Sequence, residues 1–147
     1  MVFGKDPAQI IYIVTALVLV IQMVFLDAYG GVVRAKSKTV VNHEDASSVA
    51  KGADIVEADP PGVARVMRAH RNLVANGVPF LILGFLWVAT GATASWAFAL
   101  FGTFLAARLI HTFAYVSAKQ PWRTLSFVIG QGALLGVVVQ LVRNAIA

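Results

Sequence analysis

From Pro60 to Ala147 the chain carries seven basic side chains and no carboxylate side chain. The bases are Arg65, Arg68, Arg71, Arg108, Lys119, Arg123 and Arg143. Their spacing is helical. Arg108, His111 and Tyr115 fall at i, i+3 and i+7, which is one stripe of a helix turning ~100° per residue. Arg123, Phe127 and Gln131 fall at i, i+4 and i+8, another stripe. Arg65, Arg68, Arg71 and Asn72 cover one side of a third helical run. A guanidinium fork suits carboxylates because it donates to both oxygens at once. The chemistry these residues point to is recognition of a small polyanion held between helices. The residues alone do not name that anion.

Other chemistries are poorly supported. The chain has no cysteine, which excludes disulfides, zinc–thiolate sites and a cysteine nucleophile. Any thiol chemistry would need a thiol brought by a ligand. His43, His70 and His111 lack metal-ligand spacing, and His70 points away from Arg68 and Asn72, as a packing or interhelical hydrogen-bonding residue would. There is no P-loop, dinucleotide fingerprint or Ser/His/Asp constellation. The bases sit in apolar runs without a soluble basic face, which argues against nucleic-acid binding. Gly130, Gly132 and Gly136 read as close-packing positions.

The elements that position these residues are apolar helices. Of 147 residues, 59% are hydrophobic and 13% charged, about half the charge of an ordinary soluble domain. Four runs are long enough to cross a bilayer core, which takes about 20 residues: about 7–33, 60–90, 95–116 and 121–143. The first is too long for a signal peptide and lacks a small-residue cleavage pattern. Pro7 suits a first helical turn, Gly30-Gly31 a loosening point and Pro79 a bend. Asp59 reads as the N-cap of the second helix. A polar loop, 34–59, separates the first two spans, and the other links are short. Short links make neighbouring spans antiparallel. The fold class is therefore all-α: an integral-membrane, up-down four-helix bundle forming one domain over 1–147. The first loop and third link carry Arg34, Lys36, Lys38, Lys51, Lys119 and Arg123, and the second link carries no charge. The positive-inside rule places the first loop and third link in the cytoplasm and both termini opposite. Trp96 and Trp122 fit interfacial anchors.

Membrane depth sharpens the charge problem. All seven acids lie at or before Asp59, so the first 59 residues carry −2 and the last 88 carry +7. Snorkelling to headgroups accounts for Arg143 and Lys119, can hold for Arg65 and Arg71, and fits Arg108 poorly. Pairing within the chain could use Asp27, Glu44 or Asp45, too few for every arginine.

Several segments carry a resemblance. Arg65-Val66-Met67-Arg68-Ala69-His70-Arg71-Asn72 followed by Pro79-Phe80 resembles the signature of the membrane-associated proteins in eicosanoid and glutathione metabolism, MAPEG. So do Ala107-Arg108 with His111-Thr112-Phe113-Ala114-Tyr115, and Gln120-Pro121-Trp122-Arg123-Thr124-Leu125-Ser126-Phe127 with Gln131. Asn42-His43-Glu44-Asp45-Ala46 is similar to a loop of the prostaglandin synthases. The chain most resembles the branch holding microsomal glutathione transferases and microsomal prostaglandin E synthases. The resemblance implies a homotrimer with glutathione between neighbouring subunits near the cytoplasmic face. Arg34, Arg68, Arg71, Asn72, Arg108, His111, Tyr115 and Gln131 would bind glutathione. Arg123 would stabilise the thiolate, Thr124 stands where the synthase has a serine, and Asp45 matches a loop aspartate given an assisting role. The implied activity is transfer of glutathione to a lipophilic electrophile arriving from the membrane lipid, with peroxidase or isomerase activity as variants. Three positions depart from the family: Ala64 and Ala75 replace glutamates, and Phe127 replaces a tyrosine of the synthase. Asn76 faces nearly the same way as Asn72 and offers a substitute acceptor. The loss at Ala75 keeps open a non-catalytic, lipid-binding or scaffold member of the same family. A small transporter is a more remote alternative, since no pair of broken helices is visible.

Overall fold

The computed structural model describes residues 6–146. Four long helices dominate it: α1 (Pro7–Ser37), α3 (Pro61–Ala89), α4 (Ala94–Val116) and α5 (Trp122–Ile146). All four are long and apolar enough to cross a membrane. The shortest, with 23 residues, spans about 35 Å at 1.5 Å per residue, more than a ~30 Å hydrocarbon core. The loop between α1 and α3 holds β1 (Thr39–Val40), a short helix α2 (His43–Ser47) and β2 (Asp54–Ile55).

Local chemistry fixes the helix ends, in places differently from expectation. The Asp6 carboxylate accepts from the Ala8 N–H at 2.7 Å and Pro7 begins α1. α1 does not loosen at Gly30-Gly31. It continues to Ser37 and ends at Lys38 in the left-handed region (φ 52°). Arg34 therefore stands on the last turn of α1 rather than in the loop. A Cβ at Gly30 would lie 2.8 Å from Met67 Sδ, so the bare backbone there lets α3 close against α1. Asp59 does not cap α3. Pro60 holds the N-cap position without a side-chain bond, and the Asp59 carboxylate is bound to Arg34 instead. α3 runs through Pro79 without interruption.

In cross-section, α3 and α4 each touch all three other long helices, whereas α1 and α5 do not touch. Aromatic rings fill the α3–α4 centre. Phe80 stacks on Phe104 and meets Phe101 edge-on at 5.6 Å, and Trp87 packs on Phe101 at 5.4 Å. Large apolar side chains such as Ile21, Phe25, Phe98, Phe113 and Val139 are exposed, as expected for surfaces facing lipid. The loop is tied down by a parallel pairing of Thr39 with Asp54 and Val40 with Ile55.

Candidate functional site

The α3–α4–α5 seam gathers six of the residues singled out above. Every third or fourth residue of α4 is buried, and Arg108 and His111 lie on that face. Arg108 is fully buried. Its guanidinium lies over the Phe104 ring at 4.9 Å and the Phe127 ring at 5.6 Å. Nη1 donates to Asn72 Oδ1 at 3.4 Å, a long bond, and among the described residues no group accepts from Nε or Nη2. Room for the guanidinium comes from α5. A Cβ on Gly130 would lie 3.0 Å from both Cζ and Nε of Arg108 and would overlap Nη2. Gly136 meets Leu100 in the same way, but a Cβ on Gly132 would meet nothing. Two residues along a helix turn through about 200°, so Gly132 looks away from α4. The packing expectation fails at that glycine.

A polar chain extends from Asn72. Asn76 Nδ2 donates to the Asn72 carbonyl at 2.7 Å, and Gln131 Nε2 donates to Asn76 Oδ1. Asn72, Asn76, Gln131 and Arg108 thus connect three helices with amides and a cation. On the far side, Gln22 of α1 donates to the Arg108 carbonyl at 3.2 Å and to Thr112 Oγ1 at 2.8 Å. The buried Gln22 Oε1 has no partner among the described residues.

His111 and Tyr115 hold the start of α5. His111 Nδ1 lies 2.9 Å from the Arg123 carbonyl. A carbonyl can only accept, so Nδ1 carries the proton. The buried Nε2 has no partner within the chain. One turn on, the Tyr115 ring supports the Arg123 guanidinium at 4.9 Å. Ser126 Oγ donates to the Trp122 carbonyl at 2.7 Å and to the Arg123 carbonyl at 3.2 Å, reinforcing the same turn. With its amide oxygen assigned to the guanidinium side, Gln120 accepts from Arg123 Nη2 at 2.7 Å and from Nε at 3.2 Å.

The other candidates lie apart from this seam. Arg68 and Arg71 are exposed on α3, and Thr124 is exposed on α5. Arg34 is held by Asp59, with Nη2 at 2.9 and 3.0 Å from the two carboxylate oxygens and Nε at 3.2 Å. This is the one ion pair among the described residues. Asp45 accepts from Asn42 at 3.2 Å in the loop. Arg34 and Asp45 do share a cavity of about 590 Å³ under the loop, with Lys38 and Lys51 on its walls.

Sequence reasoning passed over Gln22, Gln120, Ser126 and the contact of Gly130 with Arg108. Gln22 left a signal, as one of only two polar residues in an apolar run. Gln120 and Ser126 act within their own turn and carry no periodic signal, whereas the Gly130 contact depends on which helix faces which.

The MAPEG family's sequence model matches residues 12–143, nearly the whole chain. The chain belongs to the MAPEG family. Microsomal glutathione S-transferase 1 of Mus musculus is 35% identical over 133 residues, covering 88% of this chain and 85% of that protein. The Homo sapiens form is 33% identical over 132 residues. Prostaglandin E synthase of Homo sapiens is 31% identical over 142 residues, covering 96% of this chain and 92% of that protein. The four membrane-capable helices fit this MAPEG assignment.

Proposed function

We propose that this protein is a membrane-embedded, glutathione-dependent transferase. One observation carries the reading: Arg68, Arg71, Arg108 and Arg123 have no carboxylate partner among the described residues, and α3, α4 and α5 pack together around the buried Arg108. Glutathione brings two carboxylates and a thiol, which match the uncompensated charge and the absence of cysteine. The named relatives act on glutathione or make prostaglandin E, which supports the same substrate class.

In this reading Arg108, Asn72, Gln131, His111 and Tyr115 hold the tripeptide from the seam. Arg68 and Arg71 contribute from exposed positions on α3 and Arg34 from the last turn of α1, with a second copy completing the site in a homotrimer. Arg34 then reaches glutathione only by sharing or releasing Asp59. Arg123, with Thr124 beside it, stabilises the thiolate, since a neighbouring cation lowers a thiol pKa. Asp45 assists from the loop. The thiolate attacks an electrophilic carbon of a lipophilic substrate, a C–S bond forms, and the leaving group departs with its electron pair. With a chlorodinitrobenzene the leaving group is chloride. Peroxidase or isomerase activity would use the same thiolate. The loop after Arg34 and the α4–α5 link face the cytoplasm.

The test is conjugation of a chlorodinitrobenzene by the full chain in detergent, alongside calorimetric titration with glutathione. Wild type should turn over, and Arg123→Leu should lose at least about 100-fold in kcat, the scale of one removed transition-state donor. Wild type that binds glutathione but turns over no electrophile or hydroperoxide refutes the enzyme. No binding at millimolar glutathione favours the non-catalytic lipid-binding member instead.

A further inference from the structure

Gln120 lies in the link between α4 and α5, where helical periodicity assigns it no role. Its side-chain amide touches both residues proposed to act on the thiolate. Hydrogen-bond matching assigns the amide oxygen to the guanidinium side, where it accepts from Arg123 Nη2 at 2.7 Å and Nε at 3.2 Å, and the amide nitrogen to Thr124 Oγ1, to which it donates at 3.1 Å; the opposite orientation would set N–H against N–H. In this orientation each of the three contacts joins a donor to an acceptor.

Two consequences follow from donor counting. A guanidinium has five N–H groups, and Gln120 takes two of them, so three remain free on Arg123. A hydroxyl that already accepts a hydrogen bond keeps its own proton available. Thr124 Oγ1 accepts from Gln120, so its O–H is left to donate elsewhere. One neutral amide thus holds both side chains as outward donors without cancelling the arginine's charge. The Tyr115 ring against the same guanidinium restricts it further without consuming an N–H.

We infer that Gln120 is a positioning residue that orients Arg123 and Thr124 as a matched pair of donors to an anionic sulfur. The inference rests on the glutathione reading above. When bound glutathione ionises, its thiol proton goes to solvent and the sulfur accepts from the free Arg123 N–H groups and the Thr124 hydroxyl.

The variants Gln120→Glu and Gln120→Met separate this from a structural role. Glutamate would pair with the Arg123 charge and turn the Thr124 hydroxyl inward, since a carboxylate only accepts. Methionine keeps the length and removes both bonds. The readout is thiolate absorbance near 240 nm against pH, with glutathione bound to the full chain in detergent and affinity measured by calorimetry; the wavelength is an approximate marker of the ionised thiol. For Gln120→Glu the midpoint should rise by about one pH unit, a tenfold loss of thiolate at neutral pH. It should rise less for Gln120→Met. Affinity should stay within about threefold of wild type in both, since a positioning residue acts on the bound thiol.

A wild-type midpoint in either variant overturns the inference, as does loss of glutathione binding in both, whatever their melting temperatures. If the wild-type band is absent, the glutathione reading fails and takes this inference with it. If Arg123→Leu loses the band and Gln120→Glu keeps it unshifted, only the role of Gln120 fails.

Discussion

Arg108 is a buried cation whose neighbours return little of its desolvation cost. Taking an ion out of water costs several kcal/mol even after relaxation. Its Nε and Nη2 find no acceptor among the described residues, and each unmade bond adds roughly 1–3 kcal/mol. The Phe104 and Phe127 rings give back on the order of 1–2 kcal/mol apiece. Stability alone would favour an apolar residue here. Arg108→Met should therefore leave the melting temperature in detergent unchanged or raise it, while weakening glutathione binding at least about tenfold, or ~1.4 kcal/mol. A melting temperature that falls steeply with affinity intact would make Arg108 a structural residue. Gly130→Ala tests the same cradle from α5. The added methyl overlaps the guanidinium, so stability should fall by about 1–3 kcal/mol, the usual cost of overpacking. The Arg108 stripe is legible in the sequence because a single helix's period sets it. The fit of Gly130 against Arg108 depends on the register of α5 on α4, and that exists only in the packed bundle.

At the scale of elements, apolar length made the four spans visible, whereas the loop architecture was hidden. A two-residue parallel pair such as β1–β2 has no periodicity to read, and it forms only when α1 and the segment before α3 are brought together. Asp59 shows the same limit. An acid before two prolines reads as a helix cap, but its partner Arg34 is 25 residues away and shares no local pattern with it. The resulting fork ties the last turn of α1 to the start of α3, beneath which lie the loop cavity and Asp45. The two side chains are 35% and 23% exposed, so solvent screens the pair and its worth is about 1 kcal/mol. Asp59→Asn should consequently shift the melting temperature by only a few degrees, roughly 2–4 °C. Its larger effect should be local: residues 38–56 should become more susceptible to proteolysis, while the helices keep their protection. Unchanged cleavage of that segment would show that β1–β2 holds the loop without the ion pair.

For the whole molecule, connectivity and charge make separate statements about the membrane. If all four membrane-capable helices cross, their connection in series puts the 38–56 loop and the 117–121 link on one side and the 90–93 link on the other, whichever way the bundle inserts. The absolute side rests on charge: Lys36, Lys38 and Lys51 follow or flank the first span, Lys119 lies in the third link, and the 90–93 link has no charge. A positive-inside bias over such short loops predicts that the loop cavity and the Arg123 end of the seam face the cytoplasm, the side from which the proposed glutathione would enter. The absence of cysteine makes this directly measurable, because a single introduced thiol is the only label site. Lys51→Cys and Lys119→Cys should react with a membrane-impermeant maleimide in inverted vesicles and resist it in right-side-out ones; Thr93→Cys should do the reverse. If all three reverse together, four spans stand and only the orientation is wrong. If Lys51→Cys and Lys119→Cys label from opposite sides, one of the long helices does not cross, and the seam of α3, α4 and α5 could not sit in the bilayer as a shared site for a lipophilic substrate.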